Sequence, residues 1–217
     1  MSEHNQALIP GFEIEGTKLL KYTGNESDVI IPEGITHIGG GAFEQSHIKT
    51  IVFPDSLHRI SDFAFSDCSS LESLMLNEGL TIIDHNAFYN CGNLKKISLP
   101  KSLFVLGEEV FSRCNRIGSI DCNGNETFSF VDGCLIYEGT TIIRIFGDTI
   151  PENPEITTIH SYAFDNENIS HIFIPKNIKH IRYNAFISPN PISLEIQNPK
   201  DIDIEDDAVR TLPDLWD

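Results

Sequence analysis

The stretch AFSDC at residues 64–68 returns as AFYNC at 87–91 and as VFSRC at 110–114. In each copy a cysteine follows three residues after a phenylalanine, and the interval from one copy to the next is the same. Clustered cysteines can bind a metal or form a redox site. A motif that returns at a fixed period instead indicates stacked structural repeats.

Phenylalanine is the constant member of this motif, and cysteine is replaceable. Other copies carry Ser46, Glu167 and Pro189 at the cysteine position. The phenylalanines keep a nearly constant spacing within a first run and again within a second: Phe43, Phe65, Phe88 and Phe111, then Phe164 and Phe186. The period therefore belongs to the architecture of the chain rather than to sulfur chemistry.

A repeat of this length cannot bury its own apolar face, but stacked copies bury it against each other. Each unit is predicted to form a short strand, an extended turn and a short helical or 3₁₀ segment. The strands of successive units would lie about 4.8 Å apart in one parallel sheet, and a proline after most strands ends the ladder because it has no N–H to donate. In one unit the predicted inward residues are Leu71, Leu74, Leu76, Leu80, Ile83 and Phe88.

The aligned units share the pattern IP-x-(G/S)-(I/L)-x-x-I-x-x-x-A-F-x-x-C over about 31–122 and 150–209. This pattern resembles the BspA-type subclass of leucine-rich repeats. The resemblance implies an α/β solenoid, a right-handed leucine-rich-repeat superhelix with one parallel sheet. It also implies a family with many surface-exposed or secreted proteins of bacteria and parasitic protists, often tied to adhesion, with no enzyme activity and no fixed functional residues.

Two segments interrupt the repeats and share the triplet EGT, at 15–17 and at 138–140. Each has two short apolar runs around a glycine turn, which predicts two β-hairpin insertions. A hairpin can display a binding edge, or it can cap a solenoid end and continue the sheet. The predicted organisation is a single domain, 1–217, with a capping hairpin (12–30), repeats (31–122), an inserted hairpin (128–150), repeats (150–209) and a tail (210–217).

Cysteines in equivalent positions of stacked repeats lie in a line, with parallel side chains about 5 Å apart. Three thiolates in a line cannot surround a zinc ion tetrahedrally, so no metal site is expected. Parallel Cβ directions also disfavour a disulfide, although the distance alone permits one. Cys68, Cys91 and Cys114 are therefore predicted to form a buried, reduced ladder and Cys122 to lie in the core, while Cys134 at the second hairpin has no predicted place.

The sequence lacks the short motifs that are typical of zinc proteases, serine hydrolases and nucleotide-binding proteins. It contains no HExxH, GxSxG, Walker or GxGxxG motif. The stretch IGGGAF at 38–43 is rich in glycine, but it lacks the Lys-Ser/Thr pair that a phosphate loop needs. We expect no catalytic residues, no metal and no cofactor.

Near its end the chain has an acidic stretch, DIDIEDD at 201–207. Alternation along a strand places Asp201, Asp203 and Glu205 on one face. These carboxylates either hold Ca²⁺ weakly, although EF-hand spacing is absent, or form a charged cap that discourages end-to-end stacking of solenoids. The only tryptophan, Trp216, is expected to pack back on the last repeat.

The composition limits the kinds of partner. The chain of 217 residues has 15 Lys and Arg against 32 Asp and Glu, a net charge of −17, which argues against nucleic acid and against an anionic membrane surface. No apolar stretch approaches the ~18 residues that cross a bilayer, so no membrane insertion is expected. No signal peptide is visible at the start, which predicts a cytoplasmic location, whereas the family resemblance implies the cell surface or secretion.

The outward residues of the predicted strands are the remaining candidates for function. Solenoids commonly bind ligands on a strand surface, and exposed Val52, Met75 and Phe173 would be unusual on a purely solvated face. We expect a non-enzymatic module that binds a protein; the alternatives are a structural unit of a larger bacterial cell-surface protein and an intracellular scaffold. The predicted partner-binding residues are Val52, Met75, Lys96, Ser98, Asp121, His171, Phe173 and Glu195.

Overall fold

The computed structural model describes residues 10–122, 124–165 and 170–211. The chain divides into two compact units, Met1–Arg116 and Ile117–Asp217, which we call unit 1 and unit 2 and describe each by itself. The described ranges consist of strands and turns with no helix, and hence with no helix that could cross a membrane. Trp216 and most of the predicted tail lie outside the described residues, and the single domain over 1–217 stays a prediction.

Unit 1 is a parallel β-solenoid that opens with an antiparallel hairpin. After the hairpin each repeat contributes strands of two or three residues, since turns with proline or glycine interrupt the chain every few positions. Within the described residues the strands are β1 (Phe12–Glu15), β2 (Lys18–Tyr22), β3 (Asp28–Ile30), β4 (His37–Ile38), β5 (Thr50–Val52), β6 (Arg59–Ile60), β7 (Ser73–Met75), β8 (Ile82–Ile83), β9 (Lys96–Ser98) and β10 (Val105–Leu106).

Equivalent residues of successive repeats lie side by side, so strand register follows the sequence period. A long ladder begins with the antiparallel pair β1–β2 and continues in parallel through β4, β6, β8 and β10. In this ladder Ile60 has Ile38 on one side and Ile83 on the other. A second set of parallel pairs joins β3 to β5 and β7 to β9. The prediction of one parallel sheet is therefore wrong. β4, β6, β8 and β10 lie in the extended turn before each phenylalanine, and they form a ladder separate from the pairs of the repeat strands.

In unit 1 the segment that carries each repeat phenylalanine is a turn and not the predicted helical or 3₁₀ segment. The backbone N–H of Phe65 donates to the carbonyl oxygen of Ala87 in the next repeat (2.7 Å), so it is not used for a helical hydrogen bond. Two residues after the phenylalanines the backbone is left-handed, with φ of 58° at Asp67 and 55° at Asn90, which ends a right-handed turn. The α/β class is thus wrong for the described residues, which form a β-solenoid.

The core of unit 1 consists of columns that run from repeat to repeat. The predicted inward residues of the repeat that begins at Leu71 are all buried. Ring centroids are 4.8 Å apart for Phe43–Phe65, 5.1 Å for Phe65–Phe88 and 5.8 Å for Phe88–Phe111, with each pair stacked. Tyr22 extends the stack, with its centroid 5.0 Å from that of Phe43. The phenylalanines of unit 1 thus form a continuous column, and the hairpin supplies its first ring.

Unit 2 repeats the same arrangement with one more antiparallel strand at its start. Its strands within the described residues are β11 (Ser119–Asp121), β12 (Phe128–Val131), β13 (Cys134–Tyr137), β14 (Thr141–Ile145), β15 (Thr158–Ile159), β16 (Phe164–Asp165), β17 (His171–Ile174), β18 (His180–Ile181), β19 (Phe186–Ser188), β20 (Ser193–Ile196), β21 (Asp203–Ile204) and β22 (Val209–Thr211).

Three ladders hold unit 2 together. The first runs through antiparallel β12, β13 and β14 and then through parallel β15, β18 and β21. The second joins β16, β19 and β22 in parallel, with Phe164 beside Phe186, and the third joins β17 to β20. In this unit the phenylalanine segment itself therefore forms a parallel ladder, in addition to the two that flank it.

Each long ladder starts with antiparallel strands and passes into parallel pairing at one strand. β2 pairs with β1 on one side and with β4 on the other, and β14 does the same between β13 and β15. Two details differ from the predicted hairpins. β3, which the sequence placed in the first hairpin, pairs in parallel with β5, and the second insertion has three antiparallel strands because β12 pairs with β13.

Candidate functional site: an exposed strand face

Three apolar side chains form a row on the exposed face of unit 1. Ile30, Val52 and Met75 are the last residues of β3, β5 and β7, and their exposed fractions are 72 %, 56 % and 77 %. The residue before each of them is buried, because successive side chains of a strand point to opposite faces. We call these three residues the apolar row.

Backbone pairing fixes the spacing of the apolar row. Ile30 is the parallel partner of Val52. β7 is the next strand after β5, since the backbone N–H of Glu72 donates to the carbonyl oxygen of Lys49 (3.2 Å). Neighbouring strands lie about 4.8 Å apart, so the row crosses three repeats at roughly that interval.

Polar groups surround the apolar row on the same face. Asp28 accepts hydrogen bonds from the hydroxyls of Thr50 and Ser27, and the one from Thr50 does most to hold the pKa of this carboxyl below its ordinary value. Lys96 and the half-buried Ser98 lie at the two ends of β9. An apolar centre with a polar edge is the usual anatomy of a protein-binding surface.

The candidates of unit 2 form a second group on β17 and β20. Phe173 is the parallel partner of Glu195, and His171 is the partner of Ser193. The His171 ring nitrogens lie 3.0 Å from Ser193 Oγ and 3.3 Å from Glu195 Oε2. Asp121 lies at the end of β11, outside this pair of strands. The structure thus brings together the four candidates of unit 1 on one face and three of the four in unit 2.

Sequence reasoning missed Ile30, although it begins the apolar row. The cause was the assignment of 12–30 to a hairpin, which removed this residue from the repeat alignment. A signal was present, because Ile30 precedes the dipeptide Ile31-Pro32 as Val52 precedes Phe53-Pro54.

The repeated cysteines are core residues. Cys68, Cys91 and Cys114 are buried, and each thiol donates to the carbonyl oxygen of the phenylalanine one repeat earlier, at 3.1, 3.2 and 3.1 Å. The neighbouring thiols of Cys114 and then Cys68, together with burial, raise the pKa of the Cys91 thiol. A thiol that stays protonated is a poor nucleophile and a poor metal ligand. The prediction of a buried ladder is confirmed.

The two remaining cysteines also resist ionisation. Cys134 begins β13 and is buried, and burial, with the nearby Asp132 carboxylate, raises its pKa to about 12. Cys122 is half-buried rather than fully in the core. Burial, with the Asp121 carboxylate, raises the pKa of Cys122 to about 11.

The acidic stretch of unit 2 is held by basic residues one repeat earlier. The pairs are Arg182–Glu205 at 2.7 Å, His180–Asp203 at 3.6 Å and Lys179–Asp201 at 3.7 Å. Three of the carboxylates of the stretch therefore face a basic group each. The described part of the chain contains no group of three or more His, Cys, Asp or Glu that could hold a metal ion. This arrangement favours the charged cap over a calcium site.

Comparison with known proteins identifies the repeats. The family model for the BspA type leucine-rich repeat region matches six copies over residues 16–135 and 144–210. No curated protein matches. Among solved structures, a leucine-rich repeat protein of Bacteroides capillosus is 30 % identical and covers 52 % of this chain and 96 % of its own, with a TM-score of 0.48.

Two further structures are similar in fold. The pneumococcal vaccine antigen PcpA is 24 % identical, with a TM-score of 0.56, over 78 % of this chain and 58 % of its own. A leucine-rich cell surface protein of Faecalibacterium prausnitzii is 18 % identical, with a TM-score of 0.50, over 93 % of this chain and 86 % of its own. At these identities the two structures indicate a shared fold alone, and the chain spans little more than half the length of PcpA.

Proposed function

The chain belongs to the BspA-type leucine-rich repeat family, and we propose that it is a non-enzymatic module that binds a protein partner through the exposed face of unit 1. The observation that carries this proposal is the apolar row of Ile30, Val52 and Met75, which are exposed side by side. Exposed apolar side chains that adjoin each other mark interaction surfaces more often than scattered ones do. Covering them with a partner removes apolar area from water, which stabilises the complex by about 25 cal/mol per Å².

Charged groups on the same face would set the orientation of the partner. Asp28 begins β3 and Lys96 begins β9, so the two charges lie near the two ends of the apolar row. Complementary charges on a partner contribute more to specificity and to the association rate than to affinity. Ser98 at the edge of the row offers a hydroxyl to a polar group of the partner.

The candidates of unit 2 are proposed as additional contacts. Phe173 is 37 % exposed and offers an aromatic ring, and its neighbours His171 and Glu195 offer hydrogen-bonding groups. Asp121 is exposed at the end of β11. Aromatic residues are enriched among the side chains that dominate binding energies.

The finer architecture is part of the proposal. We propose a right-handed coil, because parallel crossover connections are right-handed in nearly all sheets. The antiparallel strands that open each long ladder are interpreted as two insertions that cover strand edges, which would otherwise pair with other chains.

A bacterial cell-surface location fits the family, and the Faecalibacterium neighbour is described as a cell surface protein. An alternative function is a structural unit of a larger bacterial cell-surface protein. A cytoplasmic scaffold is the third interpretation. In all three the apolar row is the contact surface.

The test is quantitative capture of partner proteins from two extracts. One is made from the cells that produce the protein, and the other from the cells with which they are in contact. The immobilised wild type is compared with the double variant Val52→Asp, Met75→Asp, which places two charges in the apolar row. The matched control is Phe104→Asp, which changes an equally exposed apolar side chain of unit 1 outside the row. Circular dichroism checks that all three proteins are folded.

We expect the double variant to lose the partner that both the wild type and the control retain. If the folded double variant captures the same partners as the wild type, the proposal that this face binds the partner is wrong. Loss of the partner in the Phe104→Asp protein alone would indicate that the partner binds at the ladder of β8 and β10, which Phe104 adjoins.

A further inference from the structure

Unit 2 contains a cavity of about 510 Å³. Its apolar wall is formed by the buried Ile150 and Pro151 and by the partly exposed ring of Phe173. Three exposed acidic residues, Asp132, Asp148 and Glu152, also line it. We call it the Phe173 cavity.

Local backbone geometry places the carboxylates around the Phe173 cavity. Asp132 and Gly133 form the tight turn between β12 and β13, both with positive φ (47° and 79°), as Asp-Gly turns of hairpins do. The N–H of Phe146 donates to the carbonyl oxygen of Gly133 (2.9 Å). This bond holds the turn beside the segment that carries Asp148.

The charges of the Phe173 cavity have no counter-ion among the described residues. All three charged residues that line it are acidic, and neither Lys nor Arg does so. Asp148 accepts a hydrogen bond from the hydroxyl of Thr149 (3.0 Å), which orients the carboxylate without neutralising it. A concave surface lined by one sign of charge concentrates ions of the opposite sign.

The lining of the cavity distinguishes between two kinds of cation. No His, Cys, Asp and Glu side chains in the described ranges converge closely enough to hold a metal ion. The Phe173 cavity therefore does not suit a metal ion, whereas its volume and its mixed acidic and apolar lining suit an organic cation. Its apolar wall suits the aliphatic part of such a group.

We infer that the Phe173 cavity binds an arginine side chain of a protein partner. The guanidinium is planar and has five donors, so it can bond to separate carboxylates while it stacks on an aromatic ring. Its aliphatic stem can lie along Ile150 and Pro151, as long basic side chains do on apolar surfaces. This inference rests on the proposed function, because it takes the partner to be a protein. It adds that an arginine side chain of that partner occupies the cavity.

A small probe tests the Phe173 cavity separately from the proposed function. The probe is the tripeptide acetyl-Gly-Arg-Gly-amide, titrated into the full chain up to about 10 mM because one side chain binds with millimolar affinity at best. Amide and Phe173 ring resonances report the binding. The same peptide with citrulline in place of arginine is neutral and nearly isosteric, and a lysine peptide tests whether any ammonium suffices.

Two variants connect the binding to the cavity. Asp148→Asn, Glu152→Gln removes two lining charges, and Glu155→Gln is a matched control because Glu155 is exposed and does not line the cavity. We expect the arginine peptide to bind the wild type. Its affinity should fall about three- to tenfold in the double variant and stay unchanged in the control. We also expect Phe173→Ala to weaken it about two- to fivefold.

Equal affinity for the arginine and citrulline peptides would overturn the inference, and so would no binding at the highest concentration. An equal loss in the Glu155→Gln protein would attribute the effect to net charge and would overturn it as well. Binding of the lysine peptide as tightly as the arginine peptide would reject the guanidinium as the specific ligand. These outcomes are independent of the apolar row, whose test is the capture experiment.

Discussion

The rings of Phe65 and Phe88 lie face to face, with centroids 5.1 Å apart and planes inclined by 5°. The two residues are one period apart in sequence and occupy the same place in successive repeats. Both are fully buried. Stacking of such rings contributes about 0.5–1.5 kcal/mol beyond area burial, so the column of rings couples each repeat to the next.

The first prediction concerns this column. Phe88→Ala should lower the free energy of unfolding by about 3–5 kcal/mol, because it removes a buried ring and leaves a cavity between two repeats. Denaturant unfolding followed by circular dichroism measures the change. Phe104→Ala is the control, since Phe104 is exposed and should change stability by less than about 0.5 kcal/mol. A loss below about 1 kcal/mol at Phe88 would contradict a tightly packed column.

The second prediction concerns stability at high pH. The pKa of the Cys134 thiol is raised to about 12 in the folded protein, against about 8.5 in an unfolded chain. Between these values the unfolded state binds fewer protons, so stability is fully present below about pH 8.5 and falls as pH rises. This thiol contributes up to about 1.4 kcal/mol per pH unit to that fall.

Urea unfolding between about pH 7 and 10.5 under reducing conditions measures this slope. Cys134→Ala should show a shallower decline than the wild type, even though its stability at neutral pH is lower. Tyrosines and lysines titrate in both proteins, so the difference between the two slopes isolates the thiol. Parallel curves would show that Cys134 ionises in the folded state as easily as in the unfolded one.

The third prediction concerns the last repeat of unit 2. The hydrogen bond from Arg182, followed by that from the Tyr183 N–H, holds the pKa of Glu205 below its ordinary value. The stabilisation from this ion pair is therefore present above the ordinary pKa of about 4.3 and is lost as pH falls through the lowered value. Glu205→Gln should remove it at every pH.

Hydrogen exchange at the amides of Asp203 and Glu205, which donate to carbonyl oxygens one repeat earlier, measures this effect. We expect lower protection in Glu205→Gln and unchanged protection in Asp206→Asn, a neighbouring exposed carboxylate. Addition of Ca²⁺ should change neither. Protection that rises with Ca²⁺ would favour the calcium site over the charged cap.

Periodicity predicted the parts of the fold that recur in the same form. The spacing of the phenylalanines indicated the repeat length, the stacked rings and the buried cysteines. It could not indicate the ladder of β4, β6 and β8, because a two-residue strand such as His37–Ile38 is too short for alternation to appear. It also suggested a helical segment where Phe65 pairs with the next repeat, since short apolar runs do not distinguish helix from turn.

The candidate site was predicted in part for the same reason. Alternation identified Val52 and Met75 as outward residues of repeat strands. Ile30 was missed because its strand follows a hairpin and not a complete repeat. The Phe173 cavity was not predicted, because it depends on a turn at Asp132 that folding brings close to β17 from a distant part of the sequence.

Photo-crosslinking from within the apolar row tests most directly whether the row contacts the partner. Val52 is replaced by the photoreactive residue p-benzoylphenylalanine, and the same residue is placed at Phe104 in a second protein as the control. We predict that irradiation links the captured partner covalently to position 52, that wild-type protein competes for this link, and that position 104 gives none. Adducts at position 104 with none at position 52 would contradict the account.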